Sequence, residues 1–145
     1  MARSLRWIAV LVLVAAAAIL IFGLRMYRND IKELKRFMAA YYRFDTAAAE
    51  EALRGQGGGS PDVRRALSEL QAYAGMRLSS LIKNDGELMV RAREVAGLAQ
   101  SEVEGRSGRL SEGSVKLTED RKAAFARFLE LARTSRTPGI ITEEE

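Results

Sequence analysis

Residues 7–24, WIAVLVLVAAAAILIFGL, run for 18 positions without a charged side chain. As a helix this run rises about 1.5 Å per residue and reaches roughly 27 Å, close to the hydrocarbon thickness of a bilayer. Lipid offers the backbone no hydrogen-bond partners, so an apolar stretch of this length is stable there only as a helix. Arg3 and Arg6 precede the run, Arg25 and Arg28 follow it, and Trp7, Phe22 and Tyr27 sit near its ends. Cationic and aromatic side chains at both borders suit the two membrane interfaces.

Two other fates fit less well. A cleaved secretion signal needs a small-residue site after its apolar core. The small cluster at 15–18 is followed at once by Ile19, Leu20, Ile21 and Phe22, which puts cleavage in mid-membrane. A buried core helix needs partners able to wrap the whole run, and the rest of the chain supplies none of comparable apolar length. The reading is a single uncleaved span at 7–24 behind a short basic tail at 1–6.

Charge around the span bears on its orientation. Two basic residues, Arg3 and Arg6, lie before it; Arg25, Arg28, Lys32, Lys35 and Arg36 follow within about 15 residues. The positive-inside rule then keeps the carboxyl-terminal domain in the cytoplasm, with the chain in the plasma (inner) membrane. The free amino terminus and the acids Asp30 and Glu33 weigh the other way. The same basic residues hold the base of the helix against anionic headgroups, so membrane lipid is an expected partner. Ala9, Ala16 and Gly23 recur every seven residues along one side of the span. Small residues so placed let membrane helices approach closely, which makes them a possible transmembrane dimer seam.

Composition removes whole classes of chemistry. The chain has no cysteine and no histidine, so a disulfide framework, a thiol nucleophile and the commonest general base are excluded. Neither a metal site nor a cofactor is expected. Of the 23 basic residues, 21 lie beyond Arg6 and face 19 acids, a near balance that argues against nucleic acid as a partner despite the net charge of +4. Most basic residues are arginine and alanine is frequent, which points to a GC-rich bacterial genome. About 120 residues remain after the span, enough for one small domain.

Helical periodicity continues past the span. Tyr27, Ile31, Leu34, Met38 and Tyr41 step by fours and threes, beside a second stripe of Phe37, Phe44 and Ala48, and no Gly or Pro intervenes before Gly55. This predicts a juxtamembrane helix over 25–54 continuous with the span. The aromatics at 37–44 are interleaved with a basic residue, Arg43, a pattern able to stack bases, but their spacing follows a helical face and a packed core accounts for it. The Gly-rich linker at 55–60 breaks the helix. Ser60-Pro61-Asp62 restarts one, with a capping hydroxyl, a first-turn proline and an acid at the positive helix end.

A helical hairpin partner is expected over 61–104, with a break or kink near 84–86. Its buried face comprises Val63, Ala66, Leu67, Leu70, Ala74, Leu78 and Leu81, then Leu88, Ala92, Val95 and Ala99 in the same phase, which places Asp85 on the inner seam. A flexible polar loop at 105–117 follows, then an amphipathic helix at 118–134 capped by Thr118 and striped by Phe125, Phe128, Leu129 and Ala132. An acidic tail, read as disordered, closes the chain at 135–145.

Short motifs add little. Ser80-Leu81-Ile82-Lys83 matches S-x-x-K without the companion elements that acylating enzymes need, and is read as a solvated helix face. Glu50-Glu51 and Glu119-Asp120 are adjacent on helices, where side chains diverge by about 100° and share no site. The expected fold class is all-α: a single N-terminal transmembrane helix continuing into a small antiparallel helical bundle of three to four helices. The expected role is non-enzymatic: a protein-interaction, scaffold or assembly module that self-associates or binds another membrane or soluble protein. The alternative is an envelope sensor or small-ligand module, with Asp85, Arg77 or Arg91 lining a polar gap.

Overall fold

The computed structural model describes residues 2–55, 59–76, 85–105 and 112–134, with the side chains of 2–5 and of Asp85 excepted. Every regular element among them is helical: α1 (Ala2–Leu53), α2 (Pro61–Ala74), α3 (Asp85–Gly105) and α4 (Glu112–Thr134).

The 52 residues of α1 extend about 78 Å at helical rise. No proline interrupts it, and its one internal glycine, Gly23, leaves the helix unbroken. It ends where Gly55 takes a left-handed conformation, φ 67°, which a side chain would strain. Its most apolar window has a mean hydropathy of 2.9 and none of it is buried. Among the described residues α1 alone is long and apolar enough to cross a membrane.

The second half of α1 is buried on one side. Leu34, Phe37, Met38, Ala40, Tyr41, Phe44 and Ala48 enter a core shared with Val63, Ala66 and Leu70 of α2, Leu88, Ala92, Val95 and Ala99 of α3, and Ala124, Phe125, Phe128 and Ala132 of α4. Of the described stripe residues predicted from periodicity, most are buried, and Tyr27, Ile31, Leu67 and Leu129 are half-buried. Side-chain pairs fix how neighbours run. Against α1, Ser60 meets Glu51 and Glu69 meets Arg43; against α4, Glu102 meets Arg121 and Glu94 meets Arg127. Gln71 of α2 donates to Gln100 of α3 at 2.8 Å. Between α4 and α1 the contact is aromatic: Tyr41 stacks on Phe125 with centroids 3.6 Å apart, and Phe37 meets Phe128 at 4.7 Å. In the α1–α2, α3–α4 and α1–α4 pairs, residue numbers rise along one helix as they fall along the other.

Ser60 caps α2 with an extended backbone, accepting from the Val63 N–H at 3.3 Å, and Pro61 occupies the first turn. Two expected boundaries move. α2 ends at Ala74, where Met76 donates back to the Tyr73 carbonyl at 3.2 Å, and α3 starts at Asp85, while Asn84 of the expected break lies outside the described residues. Gly86 lies inside the first turn of α3. The turn signal of Asn84, Asp85 and Gly86 is equally a helix-start signal, because the residue types that compete with helix interiors also favour its amino end. Leu78 and Leu81 lie outside the described residues, as does the tail at 135–145. The second shift is in α4, which begins at Glu112, so the predicted loop at 105–117 is helical from 112 onward and Thr118 caps nothing. Gly113 and Ser114 look like loop residues in isolation, yet Ser114 is buried against the fold.

Candidate functional site

Two places concentrate charge: the base of α1 and the interior where α1, α3 and α4 meet. At the base, Arg25, Arg28, Lys32, Lys35 and Arg36 are all exposed; before the apolar run, Arg6 is exposed and Arg3 lies in the first turns of α1. Asp30 and one oxygen of Glu33 are buried on the other side of the same turns. Ala9 and Ala16 are exposed, Gly23 is half-buried, and nothing lies within 4 Å of a Cβ built on Gly23.

The interior site is built around Arg121, only 1% exposed. Its Nε donates to Glu102 Oε2 at 2.6 Å and its Nη2 to Asp45 Oδ1 at 2.7 Å. Its guanidinium also lies over two rings, 5.1 Å from the Tyr41 centroid and 5.2 Å from that of Phe44. Glu102 is fully buried, and its other oxygen accepts from Thr118 Oγ1 at 2.6 Å. A buried guanidinium is tolerated only with such partners: its planar donors match carboxylates, and its flat faces stack on aromatic rings. Burial opposes the charge on Arg121, but the hydrogen bond and charge of Glu102, with Asp45, hold its pKa above the ordinary value. Burial pushes the Tyr41 phenol up to about 12, with Arg121 pulling the other way.

None of these three ionic residues was singled out from the sequence, yet the signal is present. Glu102 continues the stripe Leu88, Ala92, Val95, Ala99, and Arg121 begins the stripe Phe125, Phe128, Ala132. Opposite charges in phase with two apolar stripes are candidates for a buried pair.

Glu51, one of two adjacent acids that share no site, is a buried acceptor at the end of α1. It takes the N–H groups of Gly59 and Ser60 at 2.9 and 3.2 Å, and the Ser60 hydroxyl at 3.0 Å. The linker that joins α1 to α2 is therefore tied down where it enters α2.

Of the residues proposed for a polar gap, Arg91 donates to Glu94 at 3.0 Å, and Glu94 also accepts from Arg127 at 2.8 Å. The Arg91 hydrogen bond, ahead of the opposing effect of burial and the help of Arg127, holds Glu94 below the usual carboxylate range. Beside them lies a groove of about 320 Å³ between α3 and α4, lined by Glu87, Arg127 and Glu130. Arg77, Ser80 and Lys83 fall outside the described residues. Among the described residues no group of three metal-ligating side chains converges. Compared with protein-family models, with curated proteins and with solved structures, the chain finds no match.

Proposed function

We propose that this chain is a single-pass inner-membrane protein whose four helices form an antiparallel up-and-down bundle on a membrane-spanning stem. It acts without catalysis as an interaction or assembly module, joining further copies of itself or another protein. One observation carries the reading: a helix that is exposed and apolar over residues 7–22 continues without a break into a stretch that supplies one wall of a packed core. A soluble fold gains nothing from leaving such a surface in water, since burying apolar area is the main favourable term in folding. Polar groups of the interior tie α1, α3 and α4 together, through Arg121, Glu102, Asp45 and Thr118.

A cytoplasmic side for the domain is supported by the five basic residues that follow the span, against two before it. The test has two arms. Paired reporters fused after Glu145, each active on one side of the membrane, should report the cytoplasm; an exterior signal reverses the orientation. Purification in mild detergent should yield an oligomer or a retained partner. A strict monomer that holds nothing overturns the assembly role.

A further inference from the structure

We infer that α1 carries a docking face for anionic phospholipid, formed by Arg25, Arg28, Lys32, Lys35 and Arg36, which draws the uncovered side of the stem down onto the leaflet it emerges from. This rests on the membrane-anchored reading above. A helix turns about 100° per residue, and on that geometry the five side chains fall within an arc of roughly 100°. All five are exposed. The opposite side of the same turns carries Leu34, Phe37 and Tyr41, buried beneath the other helices. The acids of the segment are on that covered side too: Asp30 is 5% exposed and Glu33 buries an oxygen.

Along the sequence the two signs alternate and largely cancel. Around the circumference they separate, cations outward and carboxylates inward. Of the exposed side chains that continue the outer face, Ala39, Tyr42 and Thr46 are uncharged, and Arg43 is paired with Glu69 of α2. Tyr42, 45% exposed, is an amphipathic ring of the kind that settles at headgroup level.

Height makes the face directional. Headgroups occupy about 5–8 Å beyond the hydrocarbon on each side, whereas Arg36 stands roughly 18 Å above Leu24 along the helix. On an upright stem Arg25 and Arg28 lie among the headgroups, and Lys32, Lys35 and Arg36 stand above them. Attraction to an anionic surface fades over a Debye length of about 8–10 Å, so the upper three gain by approaching. Tilting toward the uncovered side brings them down and carries the side bearing α2 and α3 away from the membrane. The occupant is the lipid surface itself, chosen by charge and by its adjacency to the span.

The chain has no cysteine, so a single introduced one can carry a nitroxide. Ala39→Cys reports the uncovered face and Gly97→Cys reports the exposed side of α3, where a built Cβ meets nothing within 4 Å. The full chain is reconstituted in phosphatidylcholine vesicles, with or without about one-third phosphatidylglycerol, each doped equally with a nickel-chelating lipid. We expect the Ala39→Cys label to relax at least about twofold more strongly in the anionic bilayer, and the Gly97→Cys label not to. The difference should vanish in 1 M salt, where the Debye length shrinks to about 3 Å. It should also vanish in Lys32→Glu/Lys35→Glu/Arg36→Glu, which keeps Arg25 and Arg28 at the border, and persist in Arg64→Glu/Arg93→Glu. An inserted protein whose Ala39→Cys label relaxes equally in both bilayers overturns the docking face and leaves the anchor standing. Approach of the Gly97→Cys label instead also overturns it. A chain stripped from both vesicle types by alkaline carbonate overturns the anchor and the docking face together.

Discussion

Arg121 shows how a charge is kept inside a small helical core. It is almost wholly enclosed, while Asp45 keeps a side chain 37% exposed and Glu102 keeps none. Removing one partner of a buried pair leaves an uncompensated charge and typically costs about 3–5 kcal/mol, whereas replacing both with apolar groups is often neutral. Arg121→Met should therefore destabilise the fold by roughly that amount in urea unfolding followed by circular dichroism. Adding Glu102→Leu should recover most of it, because Asp45 can turn to water. A double variant no more stable than Arg121→Met would show that the pair matters by its shape and not by its charge. Tyr41 gives a prediction with a defined pH window. Its folded pKa is raised to about 12 from 10.0, so between these values the unfolded chain has ionised while the folded one has not. Stability is intact below pH 10 and falls as pH rises, by roughly 2–3 kcal/mol across the interval. Tyr41→Phe should flatten that alkaline decline, measured as unfolding free energy at pH 9, 10 and 11.

Helices were legible where apolar spacing decided them and illegible where local chemistry competed with packing. The stripes at Val63, Ala66, Leu70 and at Leu88, Ala92, Val95, Ala99 are buried as their periods predict, because a helix has one face for a core to cover. The boundaries at Gly75 and Glu112 were missed for opposite reasons. At Gly75 the stripe ran on in phase across a residue that weakens a helix; at 112–117 a glycine and a serine hid a first turn that burial of Ser114 helps to hold. The ionic centre was missed because charge was read as surface, and only the phase of Glu102 and Arg121 within apolar stripes marks it as interior. Gly97 supplies the prediction at this scale. It lies in the middle of α3, exposed, with nothing within 4 Å of a built Cβ. Gly97→Ala should raise stability by about 0.8–1 kcal/mol, seen as a higher thermal midpoint of the helical signal. No gain would mean that α3 is held by its neighbours so firmly that its own backbone preference has no weight.

Across the whole molecule, α1 belongs to two environments at once, an apolar half with no cover and an amphipathic half within a core. No proline stands between Gly23 and Phe37, and the helix is continuous there. Counted in sevens, Ala9, Ala16 and Gly23 lead on to Asp30, Phe37, Phe44 and Glu51, the last four all buried toward the other helices. The drift on a straight helix is about 20° per heptad, roughly 60° over the three heptads from Ala16 to Phe37, so the small-residue side of the apolar half lies toward the covered side of the other half without coinciding with it. The molecule has no swivel. A turn imposed on the apolar half reaches the core at Phe37 and Phe44 as the same turn, and two copies pressed together along Ala9, Ala16 and Gly23 would be steering their domains into a single space.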